Sequence, residues 1–290
     1  MSASLHHDVT PLAYFASLVA SDESFPLLEA AVSLAQDDDP SLDVQGVLAE
    51  VDALAQRLNT RLPADAPPLQ RLRLLNRFFF NELGFGGNIN HYHDRRNSLI
   101  PAVLATRRGI PISLAVLYQE IGQQVGLAVH GVSFPGHFLV KVSMTRGEVI
   151  IDPFSGQSLS REELEERLAP FRRGIQNSSG NGLGGSDDDW PLGLFLMASP
   201  PRDIIARMLR NLKEIHRAHA DWRRLERVLA RLVIVLPEAW TERRDHALAL
   251  AEIGARREAA AALALYLANC PDADDAPALA RHLAAWQAAQ

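Results

Sequence analysis

A histidine and an aspartate fifteen residues apart, His137 and Asp152, are the residue types from which a general base and its orienting group are built. An imidazole that titrates near neutrality can take up and return a proton. A carboxylate that accepts its N–H holds the ring in one tautomer. Such a pair activates a nucleophile when a cysteine or serine stands beside it. The chain has one cysteine, Cys270, and it lies in a helical tail far along the sequence from this pair.

The pair does chemistry only if the fold makes the two residues neighbours. Three strand-like runs follow one another here: Ala128 to Phe134, Phe138 to Ser143, and Glu148 to Ile151, with Thr145-Arg146-Gly147 as the turn between the last two. If Ser143 faces Glu148, the register carries His137 opposite Phe154. Asp152 is two residues from that partner. Side chains two apart share a face of a strand, so His137 and Asp152 are predicted to be diagonal neighbours. Before the strands, Arg107-Arg108-Gly109-Ile110-Pro111 opens a helix with proline in its first turn, where a missing N–H costs nothing. The helix, Ile112 to Val125, is apolar at Leu114, Ala115, Leu117, Tyr118, Ile121 and Val125, and Gly126 stands at its stop. Ser160 with Glu163 is a capping-box pattern for a short acidic helix.

Several stretches together, Asn97-Ser98, Arg107 to Leu114, Gly131 to Val140 and Ile151-Asp152-Pro153-Phe154-Ser155-Gly156, resemble the SirB-type transglutaminase-like family over residues of about 10 to 170. The resemblance implies a bacterial protein with a papain-like core, in which a cysteine begins a central helix and a histidine and an aspartate follow on the strands. It gives His137 the histidine place and Asp152 the aspartate place. The cysteine place falls on Pro111, which has no nucleophilic atom. Peptidase and transglutaminase chemistry therefore lack their attacking group. The family's association with gene regulation comes by resemblance alone.

Ser113 offers one replacement. It lies two residues into the helix, where the positive dipole end and free N–H groups favour an oxyanion. A Ser113–His137–Asp152 site would serve a hydrolase or acyltransferase. The alternative is that Ser113 bonds backbone near the helix start, that Gly136-His137 is a tight corner, and that Asp152-Pro153 ends a strand with the carboxylate on backbone N–H groups. His91 and His93, two apart, could face one metal ion from a strand, but the pattern is short and no metal is expected. Asp94-Arg95-Arg96-Asn97 reads as a loop tied to the core by ion pairs and an asparagine side-chain bond. Gly84-Phe85-Gly86-Gly87 lacks the residues of a phosphate cradle.

Residues 10 to 83 read as helices. Ser41 is the predicted cap of one carrying Val44, Val47, Leu48, Val51, Leu54, Ala55 and Leu58, and another runs from Leu69 to Leu83. Asp37-Asp38-Asp39 reads as a solvated linker. Residues 174 to 190, rich in glycine, serine and asparagine, read as a flexible linker. The tail repeats with a period of 34: Ala220 with Gly254, Leu229 with Leu263, Val233 with Leu267, Pro237 with Pro271. That period, with helix–turn–helix units and a closing proline, is the tetratricopeptide (TPR) signature. Only about two units and a final helix from roughly 274 are present, and a plain helical bundle is the alternative.

The chain has 290 residues, 47% hydrophobic and 22% charged, with net charge −6. The basic residues are scattered and matched by acids, which argues against nucleic acid and anionic membrane as partners. No window approaches the about 18 apolar residues of a membrane span. No cationic start precedes an apolar run, so a cytoplasmic location is expected. The predicted fold is α+β: a helical N-terminal region on a papain- or transglutaminase-like core with a small antiparallel sheet, followed by an all-α TPR-like tail. The predicted divisions are 1–170, a linker at 171–200, and 201–290. The leading functional reading is a non-catalytic protein-interaction module with a protein or peptide partner on the tail and no small-molecule cofactor. The Ser113–His137–Asp152 enzyme is the alternative.

Overall fold

The computed structural model of the protein describes residues 10–178 and 191–288. In chain order the elements are α1 (Pro11–Leu18), α2 (Leu27–Ser33), α3 (Val44–Asn59), α4 (Pro68–Asn76), β1 (Gly86–Gly87), α5 (Ile100–Thr106), β2 (Arg108–Gly109), α6 (Pro111–Gln124), β3 (Ala128–Val132), β4 (Leu139–Ser143), β5 (Glu148–Asp152), β6 (Gln157–Leu159), α7 (Arg161–Ser178), α8 (Leu192–Phe195), α9 (Pro201–Ala218), α10 (Trp222–Val235), α11 (Trp240–Glu252), α12 (Arg256–Asn269) and α13 (Ala276–Ala288). They form two compact units. One is Asp43–Pro200; the other joins the residues before Asp43 to those from Pro201 onward. The architecture is α+β: one unit sets a small antiparallel sheet among helices, and the other is helical.

In the Asp43–Pro200 unit, β3-β4-β5-β6 form an antiparallel sheet in sequence order. Ser143 pairs with Glu148 and Val140 with Ile151, the register that the turn at 144–147 dictates. Val140, Val142 and Ile151 are buried on one face of the central strands and Leu139 and Ile150 on the other, because both faces are covered; Lys141, on the second face, donates to the Leu196 carbonyl at 2.6 Å. α6 packs on one side, on β3 and β4. On the other, Leu139, Ile150 and Leu159 meet Leu164 and Leu168 of α7 and Leu192 and Leu196 at α8. α6 is buried from Pro111 to Tyr118, which explains why its sequence shows no polar stripe there. The strand β6 has three residues, too few for a period-2 pattern to show.

Several local expectations are corrected. The cap of α3 is Asp43, whose carboxylate accepts the Gly46 N–H at 2.9 Å, while Ser41 bonds Asp39. The helix expected over Leu69 to Leu83 is α4 continued by a wider π-type stretch, Arg77–Glu82, that buries Phe78 and Phe79. The linker expected at 171–200 is partly core. α7 continues to Ser178, and Leu192 and Leu196 are buried on the sheet's hydrophobic cluster; residues 179–190 lie outside the described residues. Asp37 and Asp38 are not a free solvated run: Asp37 is half-buried on Arg231, and the exposed Asp38 pairs with Arg224. They belong to residues 10–42, which the sequence assigns to the core but which cluster with the tail.

In the other unit, α9 to α13 pack in successive pairs, α9 on α10, α10 on α11, α11 on α12, α12 on α13. Both 34-spaced turns carry a left-handed residue, Ala220 at φ 51° and Gly254 at φ 84°. Among the described residues no helix is long and apolar enough to cross a membrane.

Candidate functional site

The β3–β4 connection turns back on itself at Phe134, whose carbonyl accepts the His137 N–H at 3.0 Å. Gly136 makes that corner possible: its φ is +70°, and a Cβ there would sit 2.7 Å from the Phe171 ring. The corner sets the half-buried His137 beside the end of β5, where Asp152 is buried.

Nε2 of His137 lies 2.9 Å from Oδ1 of Asp152. The same oxygen accepts the Phe154 N–H at 2.9 Å, the short turn that Asp-Pro invites. Arg167 of α7 reaches the other oxygen at 3.4 Å. Burial works to raise the Asp152 pKa, but the His137 hydrogen bond and charge, the Phe154 N–H and the Arg167 charge outweigh it and hold the carboxyl below its ordinary value. The pair is therefore a carboxylate on an imidazole. In the neutral ring that contact fixes the proton on Nε2.

Pro111 and Ser113 lie at the start of α6. Ile110, the residue before the helix, has no side-chain acceptor to cap it. Ser113 supplies the missing bond from inside: its hydroxyl accepts the Ile110 N–H at 3.2 Å, donates to the Asn97 carbonyl at 2.6 Å and lies 3.0 Å from the Ile110 carbonyl. The hydroxyl is fully buried. None of its hydrogen bonds goes to His137. The structure thus brings His137 and Asp152 together and ties Ser113 to backbone.

Two further residues complete the surroundings, and Arg167 had no sequence signal of its own. Arg167 reaches Asp152 only because α7 crosses the sheet face that Asp152 shares with Ile150. Asn97 is a buried hub: its amide donates to the carbonyls of His91 and Tyr92, its side-chain oxygen accepts from Asn88, and its main-chain oxygen takes both Ser113 and Ile110. The sequence placed it in a loop-fixing role without the link to Ser113. His91 and His93 are exposed in a turn rather than on a strand. Among the described residues no group of three or more His, Cys, Asp or Glu could hold a metal ion.

Beside the same loop, Phe80, Phe85, Gly87, Ile89 and Arg108 line an open cavity of about 510 Å³. The Phe154 carbonyl accepts the Gly87 N–H at 2.9 Å, which links the cavity's glycine loop to the turn after Asp152.

The transglutaminase-like superfamily matches residues 45–210, and the tetratricopeptide repeat matches residues 212–284. A UPF0162 protein of Xylella fastidiosa (strain 9a5c) is 34% identical over 264 residues, 90% of each chain. A UPF0162 protein of Pseudomonas aeruginosa is 28% identical over 199 residues, 67% of this chain and 66% of its own. Human F-box only protein 21 is 28% identical over 148 residues, 43% of this chain and 24% of its own. No solved structure matches. With a superfamily match over more than half of its length and a relative alike from end to end, the chain belongs to the transglutaminase-like superfamily and, within it, to the SirB-type UPF0162 family, with tetratricopeptide repeats in its tail.

Proposed function

We propose that the protein is a non-catalytic transglutaminase-like module that binds a protein or peptide partner through its TPR-like tail. The observation that carries this reading is the state of the helix start. By resemblance the nucleophile's place is Pro111, and the hydroxyl two residues on, Ser113, is buried and committed to the Asn97 and Ile110 backbone. A serine whose only proton serves a carbonyl at 2.6 Å, without a base on its oxygen, is a helix-capping group and not an activated nucleophile. The tail supplies the binding half. Stacked helix pairs present an extended concave surface suited to peptides. A cavity of about 380 Å³ lies between α11 and α13, with Leu248, Ala251 and Trp286 as its apolar part and Arg256 and His282 at its edge. One cysteine in the chain suits a reducing compartment, in keeping with a cytoplasmic site of action.

The His137–Asp152 pair favours a second reading, a hydrolase or acyltransferase using Ser113. A fluorophosphonate that labels activated serines, applied to the full chain, separates the two. The expected result is no labelling at Ser113. Labelling that disappears in Ser113→Ala and persists in Ser17→Ala would overturn the non-catalytic reading. For the binding half, partner capture by the full chain is expected to fall at least severalfold in Leu248→Arg. Capture that Leu248→Arg leaves untouched would remove the tail groove from the proposal.

A further inference from the structure

Residues 10–42 do not read as part of a repeat, yet they pack on the tail. α1 lies against α10 and α2 against α9, so the two short helices meet both members of the first repeat pair. Phe15, Val19, Leu28, Ala31 and Val32 are buried there. The polar contacts are dense. Arg231 of α10 is fully buried, grips both oxygens of Asp37 at 2.7 and 2.9 Å, and lies 4.7 Å above the Phe15 ring. Arg224 holds Asp38 at 2.6 Å, and Arg227 reaches the Asp37 carbonyl. Arg202 of α9 bonds Asp22 and the Val19 carbonyl, each at 2.7 Å.

The 34-residue period supplies an internal control. The positions of the second repeat equivalent to Arg224, Arg227 and Arg231 are Glu258, Ala261 and Leu265, and all three are exposed. The arginines therefore belong to the first repeat alone, on the face that the N-terminal segment covers. Burying a guanidinium is costly unless its partner is fixed beside it. Asp37 at the foot of α2 is that partner. An array of stacked helix pairs also needs a terminal pair that hides the first apolar face.

We propose that residues 11–42 are the N-terminal cap of the tail's helical array, latched to α9 and α10 by Asp22, Asp37 and Asp38, and that the transglutaminase-like residues 43–200 are inserted within one discontinuous helical unit. The cap fills the α9–α10 face, so partner binding by the array is confined to its remaining surface. The inference holds whatever the tail binds. Hydrogen exchange on the full chain tests it. In Arg231→Gln, amide exchange in residues 11–42 and in α9 and α10 is expected to rise together, on the order of tenfold, while β3 to β6 keep wild-type rates. If Arg231→Gln yields no folded protein, Asp37→Asn with Asp38→Asn is measured instead, with the same pattern expected at smaller size. Loosening confined to residues 11–42, with α9 and α10 unchanged, would make the segment a peripheral arm and overturn the proposal. So would wild-type exchange throughout residues 11–42 in either variant.

Discussion

Ala220 and Gly254 occupy equivalent turns 34 residues apart, and both are left-handed, at φ 51° and 84°. The turn after the first helix of each repeat demands that conformation. Glycine adopts it freely, whereas a Cβ there costs about 1–2 kcal/mol. Ala220→Gly is therefore expected to stabilise the protein by about 0.5–1 kcal/mol, after the extra unfolded-state entropy of glycine is subtracted. Gly254→Ala should destabilise it by a similar amount. Urea unfolding of both variants checks the pair. Destabilisation by Ala220→Gly would mean that the alanine methyl makes packing that outweighs its backbone strain.

The repeat was legible because its period lies in the sequence itself; the turn at 144–147 dictates the register of β4 on β5 and so the place of Asp152, while the Gly136 corner just before β4 sets His137 beside it. What stayed hidden depends on contacts between distant segments. The Asp37–Arg231 pair spans 194 residues, and no local pattern distinguishes a docking acid from a solvated one. Arg167 likewise meets Asp152 only after α7 has crossed the sheet. Ser113 was readable as a capping serine or as a nucleophile, and only the position of the Asn97 carbonyl, sixteen residues upstream, separates the two. Ser41 and Asp43 are both capping types two residues apart, so composition alone does not distinguish them as the start of α3.

Asp152 predicts an acid-side signature. Its carboxyl is held below the ordinary value, because the His137 hydrogen bond and charge and the Phe154 N–H overcome the opposing effect of burial. A depressed folded-state pKa gives stability that is complete above the unfolded value, about 3.9, and lost as pH falls through the folded one. Asp152→Asn is expected to cost about 2 kcal/mol at pH 7, the range of hydrogen bonds to a charged group. The difference from wild type should shrink steadily below about pH 4. Unfolding curves across that range are the measurement. A deficit that stays constant down to pH 2 would assign the effect to packing rather than charge.

If Pro111 holds the nucleophile's place, then a thiol introduced there should find a helix N-terminus waiting for it. Proline at the first helical position donates no N–H, so Pro111→Cys disturbs no backbone bond. Helix N-termini and a nearby imidazole lower thiol pKa values. In a Cys270→Ser background, the thiol of Pro111→Cys is expected to ionise about one pH unit below an ordinary thiol, read from thiolate absorbance across a pH titration because position 111 is buried and alkylation would report access as well as acidity. Adding His137→Gln should remove much of that shift. A thiol that ionises no more readily than a free cysteine would place Pro111 away from the pair and weaken the descent of this site from a Cys-His-Asp arrangement.

In the tail, Glu242 of α11 is almost fully buried and takes Lys213 at 2.6 Å and Arg210 at 2.9 Å from α9, while Lys213 also meets Asp245 at 2.7 Å. Burial opposes both carboxylates, yet Lys213 with Arg210 or Arg244 holds their pKa values low. Such a network tolerates joint replacement better than the loss of one member, because a lone buried charge keeps its desolvation cost without its partner. Lys213→Met is expected to destabilise the protein by about 3 kcal/mol, and Glu242→Leu by a comparable amount. The double variant should cost about 1–3 kcal/mol less than the sum. Additive losses in a double-mutant cycle would show that the two side chains act independently, with Asp245 alone sufficient for Lys213 and Arg210 alone sufficient for Glu242. The low pKa values add a second readout. The wild-type advantage over Lys213→Met should fade as pH drops below about 4, where both carboxylates take up protons and Lys213 has no anion left to pair with.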